Sequence, residues 1–229
     1  LTMPDTMSAE RRRILTVLGA ELVLTPGKEG MPGTVERAQQ LHQEIPGSFI
    51  PHQFDNPANP GVHYRTTGPE ILRDFAGRRL DYWVTGYGTG GTMTGAGRTL
   101  KAARPDIKIV ATEPAGATLL AGNEWSPHKI QGWTPDFIPD VLDRDVFDEL
   151  MSVTDDEAIA VSRQLAAKEG IFTGISAGAT LATALHVAAD APQGSAILAM
   201  LPDTGERYLS TPLFEGVEEG SDDAWLASL

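Results

Sequence analysis

A chain of 229 residues that is 41% hydrophobic and 21% charged has the composition of a globular protein, long enough for one large domain or two small ones. Its formal charge of −13 argues against the basic patch that nucleic acid or an anionic membrane surface needs. With no cysteine there is no disulfide framework, no thiolate nucleophile and no cysteine-bound metal, which fits a cytosolic enzyme.

No run approaches the length of a membrane span, and Leu1-Thr2-Met3-Pro4 reads as the end of a strand and not as a secretory leader. Ser8 is placed to cap a helix with Glu10 in its first turn, Ile14, Leu15 and Leu18 on one face, and Gly19 as its stop. Arg11-Arg12-Arg13 could bind an anion, with a solvated helix face as the favoured reading. Glu21 to Thr25 follows as a short strand, Thr34 to His42 as a helix and Ser48 to Ile50 as another strand. Such alternation favours a parallel sheet covered on both faces. The prolines and asparagines of His52 to Pro60 interrupt it with a fixed turn. Gln53, within that turn, either points its amide at a substrate or stabilises the turn, and both readings stay open. Thr67-Gly68-Pro69-Glu70 then starts a helix running to about Phe75.

Leu80 to Val84 is an apolar, β-prone run, followed by a glycine loop, Gly86 to Thr92, and by a helix from Thr94 to Ala103. Strand, glycine loop and helix start form an anion site, because free N–H groups and the positive end of the helix dipole face the loop. Thr89 and Thr92 add hydroxyl donors. Gly86-x-Gly88-x-x-Gly91 also matches the dinucleotide fingerprint, and Glu113 ends the next strand, Ile107 to Thr112, where a ribose-binding acid would stand. A dinucleotide and a single-phosphate cofactor are both open at this point.

Ala115 to Asp145, with Pro127, Pro135 and Pro139, has the length and irregularity of an active-site lid or wall. His128 and Lys129 within it are candidates for an acid–base pair, with a structural turn as the favoured reading. Thr154-Asp155-Asp156-Glu157 is a capping box for a helix that runs to Lys168 and stops at Gly170. Gly174-Ile175-Ser176-Ala177-Gly178 leads from a short strand into a helix, with Ser176 as N-cap, as a ligand-facing hydroxyl, or both. Ala196 to Leu201 makes a third apolar strand and delivers Pro202-Asp203-Thr204-Gly205-Glu206-Arg207-Tyr208. Polar, glycine-bearing loops thus gather at strand carboxyl ends, where open α/β sheets hold their ligands. From Glu215 onward the tail carries Glu218, Glu219, Asp222 and Asp223 and reads as exposed, with Trp225 and Leu226 as docking residues. The histidines show no metal-ligand spacing.

Taken together, Met3 to Ser8, Gln53-Phe54, Asn56 to Pro60, Thr67 to Glu70, Gly88 to Thr92, His128 to Gly132, Gly174 to Gly178 and Leu201 to Thr211 resemble cysteine synthase. That family, also called O-acetylserine sulfhydrylase, belongs to the fold type II (tryptophan synthase β-like) pyridoxal-phosphate enzymes. The resemblance implies an α/β architecture of open, twisted, mostly parallel sheets with helices on both faces. Residues 1–55 would be the remainder of a small substrate-closing domain, 56–214 the large cofactor-binding domain and 215–229 an acidic tail. It implies pyridoxal 5'-phosphate held through its phosphate by Gly88, Thr89, Gly90, Gly91 and Thr92, with Ser176 at the pyridine nitrogen and Gln53 at the substrate carboxylate. A hydroxyl partner leaves the ring nitrogen largely unprotonated, which suits β-elimination. The implied reaction replaces the acetoxy group of O-acetyl-L-serine by sulfide, giving L-cysteine and acetate. Glu113 then need not bind a ribose.

A homodimer and a cleft that takes the C-terminal tail of serine acetyltransferase are further implications. The sequence departs from the family's pattern in one major respect. The Schiff-base lysine and a Thr-Ser-Gly-Asn-Thr-Gly loop precede the point corresponding to Leu1, and none of Lys28, Lys101, Lys108, Lys129 and Lys168 has that lysine's setting. No catalytic residue is therefore assigned, and the chain alone is expected to be inactive. A lesser departure is the bulky Gly132-Trp133-Thr134-Pro135-Asp136-Phe137-Ile138-Pro139 run at the wall of the substrate pocket. A cystathionine β-synthase, a phosphoserine-using sulfhydrylase and a non-catalytic module that keeps the acetyltransferase-binding surface are the rival readings.

Overall fold

The computed structural model describes residues 1–217, 220 and 222–228. Its first elements form a parallel pair, β1 (Thr2–Pro4) and β2 (Val23–Thr25), with Thr2 opposite Val23 and Pro4 opposite Thr25. The crossover is α1 (Ala9–Val17), capped by Ser8, whose Oγ accepts from Arg11 N at 3.3 Å. α2 (Gly30–Glu44) packs on the pair, fastened by a buried 2.8 Å contact between the Thr25 and Thr34 hydroxyls. The apolar residues expected on one face of α1 are there, but uncovered: Ile14 is 41% and Leu18 74% exposed. Arg11 is not simply solvated either, since its Nη2 donates to Tyr208 Oη at 3.4 Å and lies 3.8 Å from Asp203 Oδ2.

Ser48 to Ile50 is not a strand. The run is closed by Gly47 and by Pro51, which has no N–H to give a ladder, and Phe49 points outward, 80% exposed. A helix, α3 (Ala58–Arg65), begins inside the segment expected to be only a turn. Pro57 falls at its N-cap and Pro60 in its first turn, where N–H groups lack intrahelical partners in any case, so proline does not break it. α4 (Thr67–Asp74) follows at once, as expected.

The main sheet has four parallel strands in the order β5-β4-β3-β6: β3 (Tyr82–Gly86), β4 (Lys108–Pro114), β5 (Glu149–Val153) and β6 (Ile197–Ala199). The unforeseen β5 is an edge strand whose Glu149 and Ser152 are exposed, so it lacks a clean apolar signal. α5 (Gly91–Ala103) covers one face of the sheet and α7 (Ile175–Asp190) the other, with α6 (Asp155–Glu169) packed on α7. The period-2 alternation of β3 divides the core. Trp83 joins Ile109 and the α5 residues Met93, Ala96 and Leu100, while Val84 joins Val110 and the α7 residues Ala184 and Val187. A buried hydroxyl pair, Thr112 with Thr183 at 2.8 Å, pins β4 to α7.

Two local expectations change. No strand precedes α7, only an isolated antiparallel bridge between Thr173 and Thr204. The capping box of α6 is half formed: Thr154 Oγ1 accepts from Glu157 N at 3.2 Å, but the Glu157 carboxylate lies 2.9 Å from His186 Nε2 instead of turning back to the cap. In the tail, α8 (Asp223–Leu226) leaves Leu226 57% exposed, so that side chain docks nothing down. Glu218, Glu219 and the Trp225 side chain lie outside the described residues. Among the described residues no helix is long and apolar enough to cross a membrane.

Asp148, just before β5, closes one edge of the sheet. Its carboxylate accepts from Lys101 Nζ at 2.6 and 2.7 Å and from Ile109 N at 2.7 Å. Burial pushes its pKa up, but the Lys101 and Ile109 donors and the charges of Lys101 and Lys108 outweigh that and hold it below the usual carboxylate range. Solvent screens this partly exposed carboxylate, so Asp148→Asn should cost about 1 kcal/mol at neutral pH. A group with a depressed folded-state pKa stabilises above its unfolded value of about 3.9, and that contribution is lost as pH falls through the folded value. In urea denaturation the gap between parent and variant should accordingly narrow on acidification below pH ~4. A gap that stays constant would show that the charge of Asp148 does not hold this edge.

Candidate phosphate site at the carboxyl edge of the sheet

β3 ends at Gly86, and the chain turns through Tyr87, Gly88, Thr89 and Gly90 into α5. Gly90, the N-cap, has φ +86° and ψ −5°, and a Cβ there would sit 2.7 Å from Leu142, so glycine is needed on both counts. The Gly91 N–H is taken by Thr89 Oγ1 at 3.3 Å. The N–H groups of Gly88, Thr89, Gly90 and Thr92 donate to nothing among the described residues. Unpaired N–H groups at the positive end of a helix suit an acceptor-only anion, so the residues present fit a phosphate.

A second layer stands behind this loop on α3. Asn59 Nδ2 donates to Thr89 Oγ1 and to the Gln53 carbonyl, both at 2.8 Å. His63 Nε2 lies 3.2 Å from Thr92 Oγ1, and its Nδ1 lies 2.8 Å from Thr67 Oγ1. Burial lowers the pKa of this imidazole. Neither residue stands out in the sequence as part of the site: Asn59 falls in the expected turn, and His63 in the unassigned run that follows it. Their i, i+4 spacing is the available signal, since it aligns them on one helix face.

Gln53 is exposed, and its side-chain amide makes no hydrogen bond among the described residues. The turn is served by its backbone carbonyl instead. Its side chain lines a cleft of about 900 Å³ together with Met3, Val35, Phe54 and Phe137. Asn59 thus brings Gln53 and the glycine loop together. Ser176 is not the cap of α7: that position is Gly174, and Ser176 is the second helical residue, 4% exposed, its hydroxyl without a partner among the described residues. The Thr173–Thr204 bridge and Gly174 N to Asp203 O at 3.3 Å hold the start of α7 beside the end of β6, the neighbour of β3. Ser176 therefore lies at the same sheet edge as the glycine loop.

The irregular segment 115–145 supplies the wall. A Cβ on Gly86 would fall inside the Trp133 ring, so the indole lies directly on the strand end. Thr134, held at φ +36°, donates its N–H to the Tyr87 carbonyl at 2.8 Å. Its own carbonyl accepts from Trp125 Nε1 at 2.9 Å and faces His128 Nε2 at 3.3 Å. His128 is thus a structural member of the wall, with a pKa lowered by burial, while Lys129 Nζ reaches toward Asp156 at 4.0 Å. The two do not form an acid–base pair. Glu113 is no ribose ligand: it is fully buried, and its Oε1 accepts from Tyr87 Oη at 2.8 Å and Leu120 N at 2.9 Å. Burial and the Glu113 charge raise the pKa of the Tyr87 phenol. Among the described residues no cluster of metal-ligating side chains occurs.

Comparison with known proteins bears on what this edge holds. Residues 1–203 match the family described as pyridoxal-phosphate dependent enzyme. O-ureido-L-serine synthase of Streptomyces lavendulae is 59% identical over 227 residues, which is 99% of this chain and 70% of that protein. Cysteine synthase of Staphylococcus aureus is 49% identical over 213 residues, 93% of this chain and 68% of that one. A crystal structure of a mutant O-ureido-L-serine synthase with O-ureido-L-serine bound superposes with a TM-score of 0.96 at 58% identity, covering 99% of this chain and 70% of that chain. An O-acetylserine dependent cystathionine β-synthase from Helicobacter pylori gives 0.87 at 38% identity, covering 93% and 69%. Gly90→Val, which forces a branched side chain into the left-handed turn, should abolish retention of pyridoxal phosphate in an absorbance titration. Unchanged titration would remove the loop from the cofactor site.

Proposed function

The chain belongs to the pyridoxal-phosphate dependent enzyme family, with the fold type II architecture, and from there we propose that it serves a β-replacement on O-acetyl-L-serine that yields O-ureido-L-serine. The observation that carries this reading is the 59% identity to O-ureido-L-serine synthase across 99% of the chain. In that reaction the hydroxyl oxygen of N-hydroxyurea bonds to Cβ and gives up its proton, while acetate leaves. A second reading keeps the same electrophile and takes sulfide as nucleophile, giving L-cysteine. It is favoured by the motifs from Met3 to Thr211 and by the 49% identity to cysteine synthase.

Pyridoxal phosphate, when bound, supplies the electron sink that lets a β-substituent depart. In our reading, the Gly88–Thr92 loop holds its phosphate: the unpaired N–H groups of Gly88, Thr89, Gly90 and Thr92 and the hydroxyls of Thr89 and Thr92 donate to it, while Gly91 braces Thr89. Ser176 presents its free hydroxyl to the pyridine nitrogen. Gln53, whose amide is uncommitted beside the cleft, binds the carboxylate of the amino-acid substrate. Trp133 and Thr134 close the wall against water. Residues 1–55 act as the substrate-closing part and 56–214 as the cofactor-binding part. We assign no Schiff-base role to the lysines of this chain. Lys101 is engaged by Asp148, Lys108 lies 3.8 Å from the same carboxylate, Lys129 reaches toward Asp156, and Lys168 donates to Gln164.

The complete gene product containing residues 1–229 should convert O-acetyl-L-serine and N-hydroxyurea to O-ureido-L-serine, identified by mass spectrometry. Faster turnover with sulfide in the same assay would favour the cysteine reading, and turnover with neither would overturn both. Borohydride reduction in the presence of pyridoxal phosphate, followed by peptide mapping, should leave Lys28, Lys101, Lys108, Lys129 and Lys168 untagged. A stoichiometric adduct on Lys129 would assign it the role withheld here. Replacing Ser176 with Asp should favour a protonated ring nitrogen and slow release of acetate, whereas a variant as fast as the parent would leave Ser176 a packing residue.

A further inference from the structure

The two threonine hydroxyls of the cradle are backed by different groups. Thr89 Oγ1 accepts from Asn59 Nδ2 at 2.8 Å and from Gly91 N at 3.3 Å. The orientation of that amide is fixed, because its nitrogen must also face the Gln53 carbonyl, which only accepts. With its lone pairs occupied, Thr89 has its own proton free for an anion. Thr92 is backed by an imidazole, and an imidazole can do either of two things.

Burial disfavours the charged form of His63, and in the neutral ring one nitrogen donates and the other accepts. If Nδ1 carries the proton, it donates to Thr67 Oγ1, and Nε2 takes the single proton of Thr92. The Thr92 oxygen would then show only lone pairs to a phosphate, acceptor against acceptor. If Nε2 carries the proton, it donates to Thr92 Oγ1, Thr67 donates to Nδ1, and the Thr92 proton is released to the loop. The Thr67 hydroxyl has no other partner among the described residues and can serve in either sense.

We infer that His63 is a positioning residue of the phosphate cradle, selected as its Nε2–H tautomer by a bound phosphate, so that a donor chain runs from Thr67 on α4 through His63 on α3 to Thr92 on α5. This rests on the reading that Gly88 to Thr92 holds the cofactor phosphate. It adds a residue that touches neither phosphate nor substrate.

The test uses the 229-residue chain and pyridoxine 5'-phosphate, which bears the phosphate but no aldehyde, so the outcome does not depend on any lysine. Long-range nitrogen–proton NMR of the histidine-labelled chain should show His63 with Nε2 protonated and Nδ1 bare in the complex. Inorganic phosphate, as a second probe, should produce the same tautomer. By fluorescence titration, His63→Leu and Thr92→Val should each weaken binding of pyridoxine 5'-phosphate about tenfold. The double variant should be no worse than Thr92→Val alone, and His63→Gln, whose amide can donate to Thr92, should recover part of the loss. An Nδ1–H tautomer in the complex, or additive losses, would make His63 a clip between helices and overturn the inference. Loss of binding in Gly90→Val with none in His63→Leu would overturn the inference alone. Intact binding in Gly90→Val would overturn it together with the cradle on which it rests.

Discussion

Between β3 and α5 the backbone has to reverse within four residues while leaving its N–H groups unpaired and facing outward. Gly90 makes that possible in its left-handed conformation, and every neighbouring element is fitted to the result. A Cβ on Gly91 would fall on the Asn59 amide, so α3 is able to press its polar side directly against the start of α5. A Cβ on Gly88 would run into the Gly132 carbonyl, so the irregular segment lies on the turn from the other side. The loop is thus gripped between a helix and a wall. Packing on both sides fixes the direction of its N–H groups, which is the condition for binding an anion at small reorganisation cost.

The same edge shows why a motif needs its surroundings. Gly86-x-Gly88-x-x-Gly91 stands in the context a dinucleotide loop would have, and Glu113 stands at the matching strand end. Three-dimensional contacts decide against it. The Glu113 carboxylate is turned inward to receive the Tyr87 phenol and the Leu120 N–H, where it organises the wall segment and not a ribose. Trp133 covers the strand end, and segment 115–145, without a helix or strand of its own, becomes ordered by wrapping on these buried polar anchors.

Where local chemistry is decisive, the sequence is readable. The β3–loop–α5 unit, the Thr154 cap, the Gly170 stop and the alternating faces of the sheet follow from glycine, capping residues and apolar periodicity. Failures come where tertiary packing outvotes the local signal. Two prolines mark a turn at 57–60, yet both fit the start of α3, so the helix carrying Asn59 and His63 is hidden. The edge strand β5 has too much exposed surface to alternate cleanly. Ser48 to Ile50 has β-prone residues but pairs with no strand among the described residues. α1 has its apolar residues in helical spacing, but Ile14 and Leu18 remain largely open to water. Of the candidate site, the glycine loop, Gln53 and Ser176 are legible as residue types in loops. That one asparagine joins the first two is not, because the connection is made through space.

That asparagine also bears on how the site ages. Asn59 uses the donor capacity of its amide nitrogen on Thr89 and on the Gln53 carbonyl. Conversion to aspartate would erase both donors and set a negative charge behind a surface built for anions. Spontaneous deamidation runs through attack of the following backbone nitrogen on the side-chain carbonyl. Here the following residue is Pro60, whose nitrogen carries no hydrogen and closes no succinimide ring. Asn56, followed by Pro57, has the same protection, and its side chain likewise anchors the segment through the Pro51 carbonyl and Ala58 N–H. The prolines that shape the entry to α3 therefore also make its two asparagines chemically durable over the lifetime of the folded protein.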